Sequence, residues 1–194
     1  MRQGTVEDAI STLKSGGVIV YPTETVYGLG ASIYKKEGIE RIYAIKGRLF
    51  SKPVSVAVSS YDMIDEVAYL DESMREIIEK ILPGPVTVLL KKRPVVPDRL
   101  SAGSDLIGIR FPDHEKALAI IESVGPITST SANISGKKDP IAPEEVEIEA
   151  DLIVNGGRCR IGVSSTVVDP VSKRILRKGA GYMKVLEVLS SEHE

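Results

Sequence analysis

Cysteine occurs once in the 194 residues, at Cys159, tryptophan not at all, and histidine only at His114 and His193. One cysteine excludes a disulfide framework and a thiolate zinc site, and a reducing cytoplasm is the expected setting. Two histidines, one of them in the last residues, argue against Ser-His-Asp catalysis and exclude a histidine-rich metal centre. Aromatics are 5% of the chain, with two Phe, so the core has to be built from Ile, Val and Leu. No apolar run approaches the roughly 18 residues of a membrane span. The first ten residues carry Glu7 and Asp8 where a signal peptide would be apolar. There is no P-loop pattern, and Gly28-Leu29-Gly30, which opens like a dinucleotide fingerprint, is followed by Ile33 where the third Gly belongs. A formal net charge of -2 argues against a protein devoted to gripping a nucleic-acid backbone. An enzyme with this inventory works by placing substrates and neutralising charge.

What is present reads as a single α/β domain over residues 1–194, of ordinary hydrophobic (42%) and charged (27%) content. Thr5 to Lys14 predicts a helix, capped by Thr5 with Asp8 in the capping-box place and ended by Gly16-Gly17. Val18–Tyr21 predicts a strand and residues 23–30 a polar loop. A helical stripe Ile39, Ile42, Tyr43, Ile45 ends at Lys46-Gly47. Strands are expected at Val54–Val58, Val86–Leu90, Ile107–Phe111, Pro126–Thr130, Ser165–Val168 and Arg174–Leu176. Helices are expected at Ser73–Leu82, His114–Val124 and Pro143–Ala150, and a frayed tail at Ser190–Glu194. Some strands follow one another directly, which favours a twisted mixed sheet flanked by helices over a pure βαβ array.

Five segments carry chemistry. The run Tyr21-Pro22-Thr23-Glu24-Thr25-Val26-Tyr27-Gly28-Leu29-Gly30 brings hydroxyls and turn-permitting glycines to a strand end. That suits a small polar ligand or simply a surface turn. Lys46, Arg48 and Lys52 can satisfy a helix C-terminus or bind polyphosphate. Thr128 to Gly136 places four hydroxyl residues in a row, poor core material that suits an anion site or a turn. Arg110 lies on the strand face opposite Ile107, Ile109 and Phe111, either solvated or facing a carboxylate. Ser164-Ser165-Thr166 and the stretch Arg174 to Gly179 complete the set. Cys159, between Arg158 and Arg160, has neighbours that can lower a thiol pKa, but no base accompanies it and it is given no role.

Seven segments in order, PTETVYGLG (22–30), IYAIKGR (42–48), LPGPVTVLL (82–90), GIRFPDH (108–114), TSTSANISG (128–136), SSTVVD (164–169) and ILRKGA (175–180), resemble the YrdC-like threonylcarbamoyl-AMP synthase family. The resemblance runs from about Thr5 to about Gly179. It implies a twisted mixed sheet around a large concave electropositive surface. It also implies a reaction: L-threonine, bicarbonate and ATP give threonylcarbamoyl-AMP and pyrophosphate, with Mg²⁺ accompanying ATP. A downstream threonylcarbamoyl-transferase complex would use the product on tRNA, and a tRNA or double-stranded RNA contact is a further implied partner.

By resemblance, Lys46 and Arg48 are catalytic. Thr25, Arg110, Ser129 and Ser165 hold threonine, with Arg110 on its carboxylate. Lys46, Arg48, Lys52, Ser131, Asn133, Asp139 and Arg177 serve ATP. Three departures stand out: Leu49 where many relatives have Pro, Ala57 where many have His, and no second C-terminal domain. Alanine at Lys46 or Arg110 is expected to abolish activity without unfolding the chain. Two rival readings are a non-catalytic RNA-binding module and the carbamoyl-transfer module of hydrogenase maturation. The latter normally sits beside Cys-rich zinc fingers that one cysteine cannot supply.

Overall fold

The computed structural model describes residues 1–191. Short strands among the described residues pair into one mixed sheet of eleven, ordered β1-β9-β2-β3-β8-β4-β7-β6-β10-β11, with β5 also on β6. The strands are β1 Arg2–Gly4, β2 Ile19–Tyr21, β3 Gly28–Gly30, β4 Ser55–Ala57, β5 Ala68–Tyr69, β6 Val86–Lys92, β7 Leu106–Arg110, β8 Ile127–Ser131, β9 Leu152–Val154, β10 Thr166–Asp169 and β11 Arg174–Arg177. Helices are α1 Val6–Lys14, α2 Lys36–Lys46, α3 Tyr61–Val67, α4 Glu72–Ile81, α5 Asp98–Ser101, α6 Glu115–Val124 and α7 Tyr182–Ser191. The twisted mixed α/β sheet flanked by helices is thus present. None of these helices is long and apolar enough to cross a membrane.

Local signals explain most element ends. Thr5 and Asp8 form the full capping box of α1, and Gly47 closes α2 in the left-handed conformation. Asp71 caps α4 by accepting from the Met74 amide. Other elements depart from the sequence reading. Residues 28–30 are not loop but a fully buried strand between β2 and β8. A Gly-Leu-Gly triplet has no β signal of its own; it is held by fit. A Cβ on Gly28 would lie 2.7 Å from the Tyr21 ring, and one on Gly30 2.9 Å from it. Gly28→Ala is therefore expected to cost about 1–3 kcal/mol through overpacking, read as a lowered thermal midpoint. The helix expected at 143–150 is only a 3-10 turn at Pro143–Glu145. Ser190 and Ser191 belong to α7 rather than to a frayed tail; the rest of that tail, His193 included, lies outside the described residues.

Packing divides the sheet into two faces. On one, α2, α3, α4 and α7 bury Ile39, Tyr43, Ile64, Ile78, Ile81 and Val185 against Val56, Val86, Val88 and Ile109. On the other, α1 and α6 cover only part of the face, with Leu13, Ala117 and Ile120 against Ile19, Tyr21, Ala57 and Ile127. The remainder of this second face is open, and the candidate site lies there.

Candidate active site

Strand register assembles the site floor. Gly28 pairs with Ser131, Ser55 with Ser129, Ala57 with Arg110, Thr87 with Arg110 and Val167 with Thr87. Paired residues share a sheet face, and so do residues two apart on one strand. Ser131, Ser129, Ser55, Arg110, Thr87 and Val167 therefore lie in a row across five strands. They line a cavity of about 390 Å³ whose walls include Thr23, Thr25, Arg48, Ser164, Ser165 and Arg177. Gly108 keeps it open, because a Cβ there would lie 2.4 Å from Ser55 Oγ.

The hydroxyls are oriented. Thr23 Oγ1 donates its single proton to the Val26 carbonyl at 2.7 Å. The 2.9 Å contact between Thr23 and Thr25 then requires Thr25 to be the donor. Thr25 consequently has lone pairs, and no proton, to offer the cavity. On the far wall, Ser165 and Thr87 are hydrogen-bonded at 2.8 Å. Arg177 donates from Nε and Nη2 to the Ser165 carbonyl at 3.0 and 2.8 Å, and from Nη2 to its hydroxyl at 3.1 Å.

Arg110 is 4% exposed. Its Nη2 donates to Glu24 Oε1 at 2.6 Å. Its Nη1 donates to the Phe111 carbonyl at 3.1 Å and to the Gly84 carbonyl. Three of five N–H groups are thereby engaged, leaving two for a ligand. Arg48 donates to the Pro53 carbonyl at 2.8 Å and the Lys52 carbonyl at 3.4 Å.

A second cluster stands behind the Ser131 end of the floor. Lys46 is 1% exposed, and its ammonium donates to the Ser131 carbonyl at 2.5 Å, the Asn133 carbonyl at 2.9 Å and Asn133 Oδ1 at 3.0 Å. Burial, reinforced by the charge of Arg48, pulls its pKa down to about 8. Asn133 Nδ2 donates to Asp139 Oδ1 at 3.0 Å, and Asp139 accepts from the Ser164 hydroxyl through its other oxygen. This network ties the end of β8 to the approach to β10.

Of the residues singled out in the sequence, Thr25, Arg48, Arg110, Ser129, Ser131, Ser165 and Arg177 line one cavity. Lys46, Asn133 and Asp139 lie behind its wall. Lys52 is exposed, is not part of the lining, and contributes its carbonyl to Arg48. The sequence reading passed over Thr87, Ser55 and Glu24. Thr87 had a signal, one hydroxyl inside the apolar run from Val86 to Leu90; Glu24 had one too, an acid between two threonines at a strand end. Ala57 is fully buried in the apolar layer with Tyr21 and Ala117, so no imidazole stands at that place. Cys159 does not fit the low-pKa reading: burial pushes its thiol up, and Arg158 and Arg160 are taken by Glu145 and Asp113.

Known proteins share this sequence and frame. A putative threonylcarbamoyl-AMP synthase of Methanocaldococcus jannaschii is 33% identical over 188 residues, 95% of this chain and 89% of the relative. A threonylcarbamoyl-AMP synthase of Pyrococcus abyssi is 38% identical over 195 residues, again 95% of this chain but 56% of the relative, so the chain spans little more than half of that protein. The solved structure of P. abyssi Sua5 complexed with L-threonine superposes with a TM-score of 0.84 at 36% identity, over 90% of this chain and 54% of the other. The family model described as telomere recombination matches residues 11–179, and the chain belongs to that Sua5/YciO/YrdC family.

Proposed function

We propose that this domain is a threonylcarbamoyl-AMP synthase that condenses L-threonine, bicarbonate and ATP. The observation that carries this reading is the cavity itself. Three arginines and a wall of oriented hydroxyls line it, and no acidic side chain is among its lining residues. Such a site suits several anions held together. The relatives named for this activity and the threonine-bound P. abyssi structure support the reading.

The chemistry needs alignment more than proton shuttling. Threonine as its ammonium form and bicarbonate give a carbamate, one water and one proton. A carbamate oxygen then attacks the α-phosphorus, forming the P–O bond while the bond to pyrophosphate breaks. Arg110 receives the threonine carboxylate on its two unengaged N–H groups. Thr25, offering only lone pairs, accepts from the amine or hydroxyl of threonine, and Ser129 and Ser165 line the same end. Arg48 and Arg177 take the phosphates, with Ser131. Lys46, Asn133 and Asp139 hold that segment in place. Mg²⁺ enters with ATP; among the described residues there is no cluster of three metal-ligating side chains to hold it independently. Confining a short-lived carbamate beside ATP is an entropic and water-excluding task for the cavity. In this proposal residues 1–194 work as one cytoplasmic domain, and a transferase complex passes the product's threonylcarbamoyl group to tRNA.

The direct test is pyrophosphate release from ATP, Mg²⁺ and bicarbonate with and without threonine, together with detection of the adenylate. Threonine-dependent release is expected. Release indifferent to threonine would sink the proposal, and salt-sensitive RNA binding without ATP chemistry would favour the RNA-module alternative.

A pH dependence follows from Lys46. Near pH 8 the unliganded chain carries only part of a proton there. Nearby phosphates favour the charged ammonium, so ATP binding takes up protons. Affinity is then expected to fall as pH rises above 8, by up to about tenfold per unit. Titration calorimetry in two buffers of different ionisation heat reads the uptake; equal apparent enthalpies would contradict it.

A further inference from the structure

The three arginines of the cavity differ in their partners. Arg48 and Arg177 donate only to carbonyls and the Ser165 hydroxyl, and neither has a carboxylate partner among the described residues. Arg110 alone is ion-paired, at 2.6 Å to Glu24, with side chains 5% and 1% exposed. The neighbouring cations do not share that carboxylate. Arg160 is bonded to Asp113 at 2.7 Å and Arg158 lies 3.6 Å from Glu145. His114, which also senses Glu24, is pushed toward its neutral form chiefly by burial. Glu24 Oε2 is buried without a partner, and Glu24 lines a second cavity of about 110 Å³ with His114 and Cys159, which shares Thr23 with the first. Its backbone is pinned as well, since the Ile161 amide donates to the Glu24 carbonyl at 2.8 Å. Glu24 is thus a fixed negative charge directed at Arg110.

We propose that Glu24 determines anion specificity in the cavity: it cancels the charge of Arg110 while leaving two N–H donors, so this end accepts the single carboxylate of an amino acid and refuses phosphates. An unpaired guanidinium in a poorly solvated pocket attracts an anion in proportion to its charge, whereas a neutral pair offers hydrogen-bond fit without net field. With Arg110 unpaired, all three arginines would draw polyphosphate. With Glu24 present, only Arg48 and Arg177 do, and the triphosphate is steered to them and away from Arg110. Discrimination comes from penalising the wrong ligand as much as from favouring the right one. The inference rests on the proposed function for its amino acid.

The test is competition against bound threonine in the full chain, with inorganic pyrophosphate and with acetate, in wild type and Glu24→Gln. Glutamine keeps the length and an oxygen for Arg110 Nη2 but removes the charge. Pyrophosphate is expected to displace threonine at least about tenfold more effectively from the variant, with threonine affinity itself changed less than about threefold. Unchanged competition, or joint loss of threonine and ATP affinity, would overturn the inference. A second readout needs no variant: wild type should release threonine more readily to acetate than to equimolar sulfate, and the reverse order would also overturn it. A wild-type chain that binds no threonine at all would instead sink the functional reading, and the inference with it.

Discussion

Arg110→Ala is expected to lower folding stability by about 3–5 kcal/mol and to abolish threonine-dependent turnover. The sequence alone predicts lost activity in a sound fold, because Arg110 reads there as a face residue. Its burial changes that expectation. Removing the guanidinium leaves Glu24, 2% exposed, as an uncompensated buried charge, while the Gly84 and Phe111 carbonyls each keep one backbone amide donor. Removing one partner of a buried pair costs more than removing both. The double variant Glu24→Leu with Arg110→Met is therefore expected to recover most of the stability while remaining inactive. Urea unfolding of both variants, beside pyrophosphate release, separates the two effects. A single variant as stable as wild type would show that the pair is not the desolvated unit described above.

Lys46→Met should cost about 2–4 kcal/mol and reduce turnover at least about a hundredfold. The ammonium satisfies three acceptors, two of them on Asn133. A thioether supplies none, and leaving buried acceptors unmet is the expensive case. The loss is expected to appear first in nucleotide binding, because Ser131 and Asn133 lose the anchor that fixes the segment offered to the phosphates. Threonine binding in the absence of nucleotide should change little, since the hydrogen bonds that hold Arg110 and Thr25 do not run through Lys46 or Asn133. Equal loss of both affinities would argue for general unfolding of the variant, and circular dichroism would show it.

Much of the framework was legible in the chain. Periodic runs such as Ile77, Ile78 and Ile81, and the alternation of Ile107 and Ile109, mark elements whose buried faces have a period. The cap at Thr5 and Asp8 and the stop at Gly47 are local chemistry and were readable for that reason. Strand β3 was not, because its formation depends on the Tyr21 ring and on β8, more than a hundred residues away. Strands β1 and β9, three residues each, are too short to show a period, and helices α3 and α7 went unread. The site divided along the same line. Cations and hydroxyls are visible as residue types, but their state is not. No sequence pattern shows that Arg110 is paired with Glu24 and Lys46 engaged by three carbonyl and amide oxygens while Arg48 and Arg177 have no carboxylate partner among the described residues.

The order of the sheet has a consequence for how this protein comes to be folded. Arg2 pairs in parallel with Leu152, Thr166 with Val86, and the cavity gathers residues from Thr23 to Arg177. Contacts so distant along the chain are closed late, because each loop's entropy is lost before the pairing compensates it. A nascent chain lacking β9 and β10 would carry α2, β6 and β7 with an unpaired edge and no cavity. Catalytic competence should accordingly arise in one step, after residue 177 has emerged, with no partly active shorter form before it.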